Sequence, residues 1–530
     1  MLACLALTVA LCVALGAFHL GRAPLWSDEV FSRYYYDLFG PRFLLTDGLR
    51  LEPTPPTYPA VLWGWMAVFG DSEAALRALS LACTALCVPV VFQLGRELGS
   101  RSGALAAALL FALCPAVLYF AQEARVYAMT LLPVGLVLLA CAVLLRAPRS
   151  RPAAAGYVGA ATLCLYLHAS LVFLVAACAL VVGAVLFARA ALPRRAHRPS
   201  EHRPSEREAG EGGVRALLGW IGLNAAVLVL SLPYLSHIVG ASQSGGLDWI
   251  PPLRPHDVIG AVSAIVAGVL TPYPWPTAAL TALVISTLAA SVWVHRPSLR
   301  TTAVLILIPG VFVALVTLVS LVRPILLPRV LFWTAIPLCA LLGRQMLQEG
   351  RLRWAVAAAT MLAFGVGLVA QETAPDGGKE PWRQMFASLG PELAQADLVV
   401  LSPRFNPLVL KYYAPAVLGL SASSPSDHQV RLWDAQLPPT IMTQAATRMG
   451  VAAITGQQVL REIASNRSVW VLSNAVDLPY LQALQADQPA QQTKVWTCGL
   501  SRPDCVGAMA WVTQSPSRIT IKQVGSGPHT

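Results

Sequence analysis

Charge is scarce in this sequence. Of 530 residues only 12% are Asp, Glu, Lys or Arg, while 56% are hydrophobic; a soluble domain carries roughly 25% charged residues. That deficit excludes an ordinary soluble protein and points to lipid. Lysine is the scarcest charge: Lys379, Lys411, Lys494 and Lys522 are the only four, all beyond the last long apolar run, so the formal net charge of +11 rests on arginine. A basic balance in a membrane protein reflects cytoplasmic loops, and no nucleic-acid motif accompanies it. The C-terminal part has no Gly-rich phosphate loop and is expected to be an accessory or acceptor-positioning domain. The N-terminal run Leu2–Leu20 lacks a basic leader and a clear small-residue cleavage site, so it is expected to stay as a first span.

What the sequence does have is long apolar runs. With about 20 residues needed to cross a bilayer, spans are expected near residues 1–21, 74–95, 102–120, 126–146, 153–168, 170–190, 215–236, 276–294, 301–322, 329–346 and 352–371. That makes about eleven spans. Arg96 and Arg101, Arg146, Arg149 and Arg151, the cluster Arg194 to Arg215, Arg296 and Arg300, and Arg344, Arg351 and Arg353 then share one side, the cytoplasm. The run 257–271 is short and ends in TPYPWP, so it is expected to lie at the outer surface or to insert only partly. An odd number of spans with the N-terminus inside places the tail outside the cytoplasm.

The expected organisation is a membrane domain over 1–371, with a first outer loop at 22–73 and a polar cytoplasmic linker at 191–214, then a soluble α/β domain over 372–530. Within the tail, helices are expected at 382–395 and around 406–413, and strands at Leu398–Ser402, 468–472, 494–497 and 508–513. Nine cysteines, Cys4 to Cys339, sit in apolar runs as small hydrophobes. Cys498 and Cys505 lie in the tail, where a disulfide is permitted if that compartment is oxidising.

Transporters bury ionisable groups in mid-membrane, whereas the spans here are nearly free of them. The acids gather instead in the first outer loop: Asp28, Glu29, Asp37, Asp47, Glu52 and Asp71. In LWSDEVFSRYYYDLFG, Asp28 and Glu29 follow the first span, flanked by Trp26 and by Tyr34–Tyr36. A carboxylate at that boundary can take a proton from a hydroxyl or hold a metal ion, and aromatic rings give a sugar a stacking surface. Equally, Ser27 or Asp28 can cap a helix that begins near Glu29. A second group, Phe120-Ala121-Gln122-Glu123-Ala124-Arg125-Val126-Tyr127, falls between the third and fourth spans on the same membrane face as Asp28. A third, Pro53, Pro55 and Pro56 with Tyr58, opens an apolar helix that leads to Asp71 and Arg77.

The ordered set of SDE after the first span, then PPTY, FGDSEAALR and QEARVYAM, with His168 in LYLHAS, the late PRVLFWTAIP and KEPWRQ, resembles the family 39 membrane glycosyltransferases, protein mannosyltransferase-like and aminoarabinose transferase-like, of the GT-C fold. The resemblance runs over most of residues 1–413. It implies transfer of a sugar from a polyprenyl-phosphate carrier to an acceptor outside the cytoplasmic membrane, in bacteria at the inner membrane. The family's catalytic acid would fall on Asp28 with Glu29 beside it, and its second acid on Glu123. Substrate contacts would fall on Arg125, Tyr127, Tyr58, Glu52, Arg77, His168 and Arg329. Related aminoarabinose transferases carry a basic residue immediately before the proline of the third motif, where this chain has Thr54. The donor phosphate would then be clamped by arginine, whose planar fork matches phosphate oxygens. A divalent cation at Asp28 and Glu29 is an open alternative, and a packed, hydrogen-bonded role for His168 is another. A lipid or sugar transporter and a non-catalytic envelope-assembly subunit remain the rival classes.

Overall fold

The computed structural model describes residues 1–46, 55–191, 206–241, 250, 252–269, 274–374, 378–393, 395–403, 405–418, 429–434, 441–464, 469–473, 492–496, 508–513 and 520–523. Asp47, Glu52, Thr54, the linker before Glu206, and Cys498 and Cys505 lie outside them. The chain forms two compact units: residues 1–18, 77–239 and 250–371 make the first, and residues 19–76, 240–249 and 372–530 the second.

Among the described residues the first unit is helical, as suits a chain in lipid, where a helix satisfies its own backbone groups. Its elements are α1 (Leu2–Ala17), the part of α4 (Glu73–Leu98) from Arg77 onward, α5 (Arg101–Leu113), α6 (Pro115–Ala121), α7 (Val126–Arg146), α8 (Arg151–Leu167), α9 (Val172–Ala191), α10 (Glu206–Ala241), α11 (Pro255–Ala267), α12 (Pro274–His295), α13 (Leu299–Ser320), α14 (Pro328–Leu331), α15 (Ala335–Gln345) and α16 (Leu352–Thr373). Among the described residues, seven helices are long and apolar enough to cross a membrane, namely α4, α7, α9, α10, α12, α13 and α16. The pair α5 and α6, bent by 55° at Cys114, makes an eighth if counted as one span. The protein is thus a multi-span membrane protein. The other expected spans are helices too, but shorter ones: α1 has 16 residues and α8 has 17, and the last is broken into α14 and α15 by a 3-10 turn at Phe332–Thr334. Helix α11 has 13 residues, roughly 20 Å of rise, too little to cross a hydrocarbon core of about 30 Å. It packs against α6 and α14.

Small residues let the helices approach closely, which is how apolar helices gain contact in lipid. At Gly343 of α15 a Cβ would stand 2.4 Å from the Ala107 backbone of α5. The ends of the helices are held by arginine. At the C-terminus of α4, Arg146 Nε lies 2.7 Å and Arg300 Nη1 2.9 Å from Glu97 Oε1. Arg300 Nη2 also donates to the Glu97 carbonyl at 2.7 Å, and Arg344 Nη1 to the Leu98 carbonyl at 3.1 Å. These carbonyls have no partner within their own helix, and cations suit the negative end of its dipole. The arginines that define one face in sequence therefore have a second task, joining α4, α7, α13 and α15.

The second unit contains α2 (Ser27–Leu44), α3 (Thr57–Phe69), α17 (Trp382–Leu393), α18 (Leu408–Tyr413), α19 (Ile441–Arg448) and α20 (Gly456–Ala464), with strands β1 (Leu398–Leu401), β2 (Gln429–Asp434), β3 (Ala452–Thr455), β4 (Val469–Ser473), β5 (Gln492–Trp496), β6 (Ala508–Thr513) and β7 (Thr520–Gln523). Helix α2 bends at Gly40 (φ 72°) and Pro41, where glycine alone takes the left-handed backbone freely. The strands form one sheet in the order β3-β2-β1-β4-β6-β5-β7. β1 pairs in parallel with β2 and β4, and β6 runs antiparallel to β4 and β5. Strand β1 (LVVL) is buried along its length, and Leu398, Val400, Ile454, Val459, Val469 and Val471 form a core with Trp433 against it. The expected tail helices and four strands are present. The additional strands β2, β3 and β7 are short, and two carry charged side chains, so they lack the apolar alternation that marks a strand in sequence. The outer-loop helix α2 packs on α3, α18 and α19, so the loop and the tail are parts of one folded unit.

Glu97→Ala leaves two guanidiniums without their carboxylate. We expect a loss of about 1–3 kcal/mol, seen as a lower unfolding midpoint in detergent; an unchanged midpoint would show that the arginine cluster does not hold the helix ends.

Candidate functional site

Asp28 is set by the start of α2. The helix begins at Ser27, earlier than the sequence suggests, with Trp26 extended at the N-cap (φ −83°, ψ 169°). Glu29, the third helical residue, is fully buried and its Oε2 accepts the Trp26 N–H at 3.2 Å. This is the reach-back half of a capping box. The capping expected of Ser27 or Asp28 is thus carried by Glu29, and Asp28 sits half-buried in the first turn. Adjacent helical residues project about 100° apart, and Glu29 turns one oxygen toward the Trp26 backbone. Among the described residues there is no group of three or more His, Cys, Asp or Glu side chains that could hold a metal ion.

Around this helix start the second unit assembles a polar cluster, part of it from the KEPWRQ motif. Glu380 is buried, and its Oε2 accepts the Ser27 N–H at 2.8 Å and the Trp382 indole N–H at 2.5 Å. Asn406 Nδ2 donates to the Ser27 carbonyl at 2.7 Å. The Lys379 ammonium lies 5.5 Å from the Trp26 ring centre, within cation–π range. Tyr413 Oη accepts the Leu25 N–H at 2.6 Å and bonds Glu73 Oε1 at 2.9 Å. Arg383 pairs with Glu73 and donates to the Arg22 carbonyl at 3.0 Å. Tyr58 is buried in the first turn of α3.

Burial pushes the Glu380 carboxyl up to about 8, and the Asp28 charge adds to this, against the lowering effect of the Ser27 and Trp382 donors and of Lys379. At neutral pH Glu380 therefore holds a proton.

The first unit contains the other predicted residues. Glu123 and Arg125 occupy the turn between α6 and α7, and the Ser80 hydroxyl donates to the Glu123 carbonyl at 2.5 Å. Glu123 and Arg77 are both buried. Tyr127, in the first turn of α7, is the hub of a cationic group. The Arg125 and Arg329 guanidiniums lie 5.8 Å and 6.0 Å from its ring centre, and the His168 ring 5.7 Å. Both arginines act electrostatically on His168, whose Nδ1 lies 2.8 Å from Ser170 Oγ at the break between α8 and the turn Ala169–Leu171. The structure thus brings together Arg125, Tyr127, His168 and Arg329, which lie far apart in sequence. Two guanidiniums beside one ring form a site suited to an anion.

Glu380 gives a pH test. Its folded form keeps a proton that the unfolded chain loses at ordinary carboxylate pKa, so stability should fall as pH rises from that range through about 8. Glu380→Gln should flatten this decline in the unfolding midpoint between pH 5.5 and 8.5; an equal decline in the variant would exclude Glu380 as its source.

Residues 53–192 match the model of the dolichyl-phosphate-mannose-protein mannosyltransferase family. Over nearly its whole length the chain is similar in structure to ArnT from Cupriavidus metallidurans bound to undecaprenyl phosphate, at 13% identity and a TM-score of 0.58, covering 95% of this chain and 97% of that one. The apo state of that protein matches over the same shares at 13% identity with a TM-score of 0.55. The Archaeoglobus fulgidus oligosaccharyltransferase in complex with Zn and sulfate matches at 12% identity and a TM-score of 0.46, over 89% of this chain and 68% of that one. A search of curated protein sequences finds no match. By the course of its chain, this protein has the GT-C fold of membrane glycosyltransferases.

Proposed function

We propose that this protein transfers a sugar from a polyprenyl-phosphate carrier to a hydroxyl or similar group on an acceptor of the cell envelope, on the extracytoplasmic side of the bacterial inner membrane. The observation that carries this reading is the group of Arg125 and Arg329 about Tyr127, with His168. Fixed guanidiniums at the start of apolar helices suit a phosphate borne on a lipid: they neutralise the head group while the chain stays in hydrocarbon. The GT-C fold and a similar structure that holds undecaprenyl phosphate agree with that choice.

In the proposed reaction the acceptor oxygen attacks the anomeric carbon, and its proton passes to Asp28. The bond from that carbon to the phosphate oxygen breaks on the opposite face, and polyprenyl phosphate leaves with the electron pair. One inversion at the anomeric carbon results. Asp28 suits the base because the neighbouring Glu380 is neutral and because Glu29, not Asp28, closes the helix start. Trp26 offers a buried indole N–H without a hydrogen-bond partner among the described residues, a donor that a sugar hydroxyl would satisfy. Glu123 is assigned to holding the arginine-bearing turn and to the second acid's place.

Asp28→Asn should lower turnover by about 10²- to 10⁴-fold, the usual value of general-base assistance, with the protein inserted and folded; near-normal transfer would remove Asp28 from the reaction. Free polyprenyl phosphate should inhibit the wild-type protein, and Arg125→Gln or Arg329→Gln should weaken that inhibition about 10- to 100-fold each, the worth of a charge-assisted hydrogen bond. Inhibition unchanged in both variants would place the phosphate elsewhere.

A further inference from the structure

The peptide of Ser27, immediately before Asp28, is held on both sides by residues from the far end of the chain. Its N–H donates to Glu380 and its carbonyl accepts from Asn406, at 2.8 Å and 2.7 Å. Both partners are nearly buried, 5% and 4% exposed. Neither is loosely placed. Glu380 is fixed by the Trp382 indole on the same oxygen, and Asn406 by its Oδ1, which accepts the Leu408 N–H at 3.0 Å at the start of α18. One residue earlier but one, the Leu25 N–H is taken by Tyr413 at the other end of that helix. The first N–H groups of a helix have no partner within it, and at α2 the tail supplies one. A helix start held so closely has little freedom to turn, and the direction of a side chain in the first turn follows from it.

We infer that Glu380 and Asn406 are positioning residues for Asp28: through their two hydrogen bonds to the Ser27 peptide, the segment after the last span sets where the Asp28 carboxylate points. This rests on the proposed role of Asp28 as general base. It gives the C-terminal part of the chain a direct share in the chemistry, although neither residue need touch a substrate. Misplacing a reacting group by about 1 Å costs on the order of 10²-fold in rate, so the loss of one of these bonds should be visible in turnover without loss of the fold.

The test uses the full-length protein in detergent or lipid discs, with transfer from a polyprenyl-phosphate sugar as readout. Asn406→Ala should lower kcat by about 10- to 100-fold, leaving the donor KM within about threefold and the unfolding midpoint nearly unchanged; Asn406→Ser is the second choice if the alanine variant does not fold. Glu380→Leu should lose turnover similarly, whereas Glu380→Gln, which keeps an acceptor oxygen for both donors, should restore it to within about threefold of wild type. The double variant Asp28→Asn with Asn406→Ala should be no slower than Asp28→Asn alone, because there is no carboxylate left to aim. Multiplication of the two losses would show a general structural role and overturn the inference. So would full turnover in Asn406→Ala and Glu380→Leu alongside a loss in Asp28→Asn. Near-normal turnover in Asp28→Asn itself would instead remove the base, and the positioning role with it.

Discussion

Hydrocarbon does not solvate charge or unpaired backbone, and the organisation of this chain follows from that constraint. Apolar runs become helices that satisfy their own hydrogen bonds. Charged groups collect where those helices end. At one set of ends, Arg146, Arg300 and Arg344 hold the last carbonyls of α4 and the Glu97 carboxylate. At other helix starts stand the charges proposed for chemistry: Arg125 and Arg329 lie about Tyr127, and Asp28 sits in the first turn of α2. The same rule thus produces a structural staple in one place and a candidate anion site in another.

The second unit solves a different problem. A carboxylate proposed as a base must point in one direction and must not be spent on capping its own helix. Glu29 takes the capping task. Glu380 and Asn406 hold the preceding peptide. Burial pushes the Glu380 carboxyl up and keeps it protonated at neutral pH. Each of these partners comes from a different stretch of chain, which explains why the outer loop and the tail fold as one unit.

Much of the membrane architecture was legible in sequence, because span length and arginine placement are one-dimensional signals. The helices fall where the apolar runs are, and the differences lie in length: α11 is too short to cross, and the bend at Cys114 and the 3-10 turn at Phe332–Thr334 interrupt others. Asp28, Arg125 and Tyr127 stood out because charge and aromatic residues are conspicuous at the edge of an apolar run. The grouping of Arg125, Tyr127, His168 and Arg329 was suggested only by the order of motifs, and the geometry of the ring contacts supplies it physically. Asp28 and Glu29 look alike as adjacent acids in sequence, and only the fold shows one of them turned back to the Trp26 N–H. Asn406 carried no signal at all: a single amide in a polar stretch is ordinary, and its partner lies hundreds of residues away. Strands β2, β3 and β7 were hidden for a similar reason, being short segments whose conformation depends on neighbours already in the sheet.

The central claim is that a lipid-borne phosphate is the leaving group. It is tested most directly by incubating purified protein with a panel of polyprenyl-phosphate sugars and an envelope extract as acceptor source, and measuring free polyprenyl phosphate together with transferred sugar. The account predicts that at least one donor is consumed, with lipid phosphate and sugar transferred in equal amounts. Sugar transfer without release of lipid phosphate, or release of a lipid diphosphate, would contradict it.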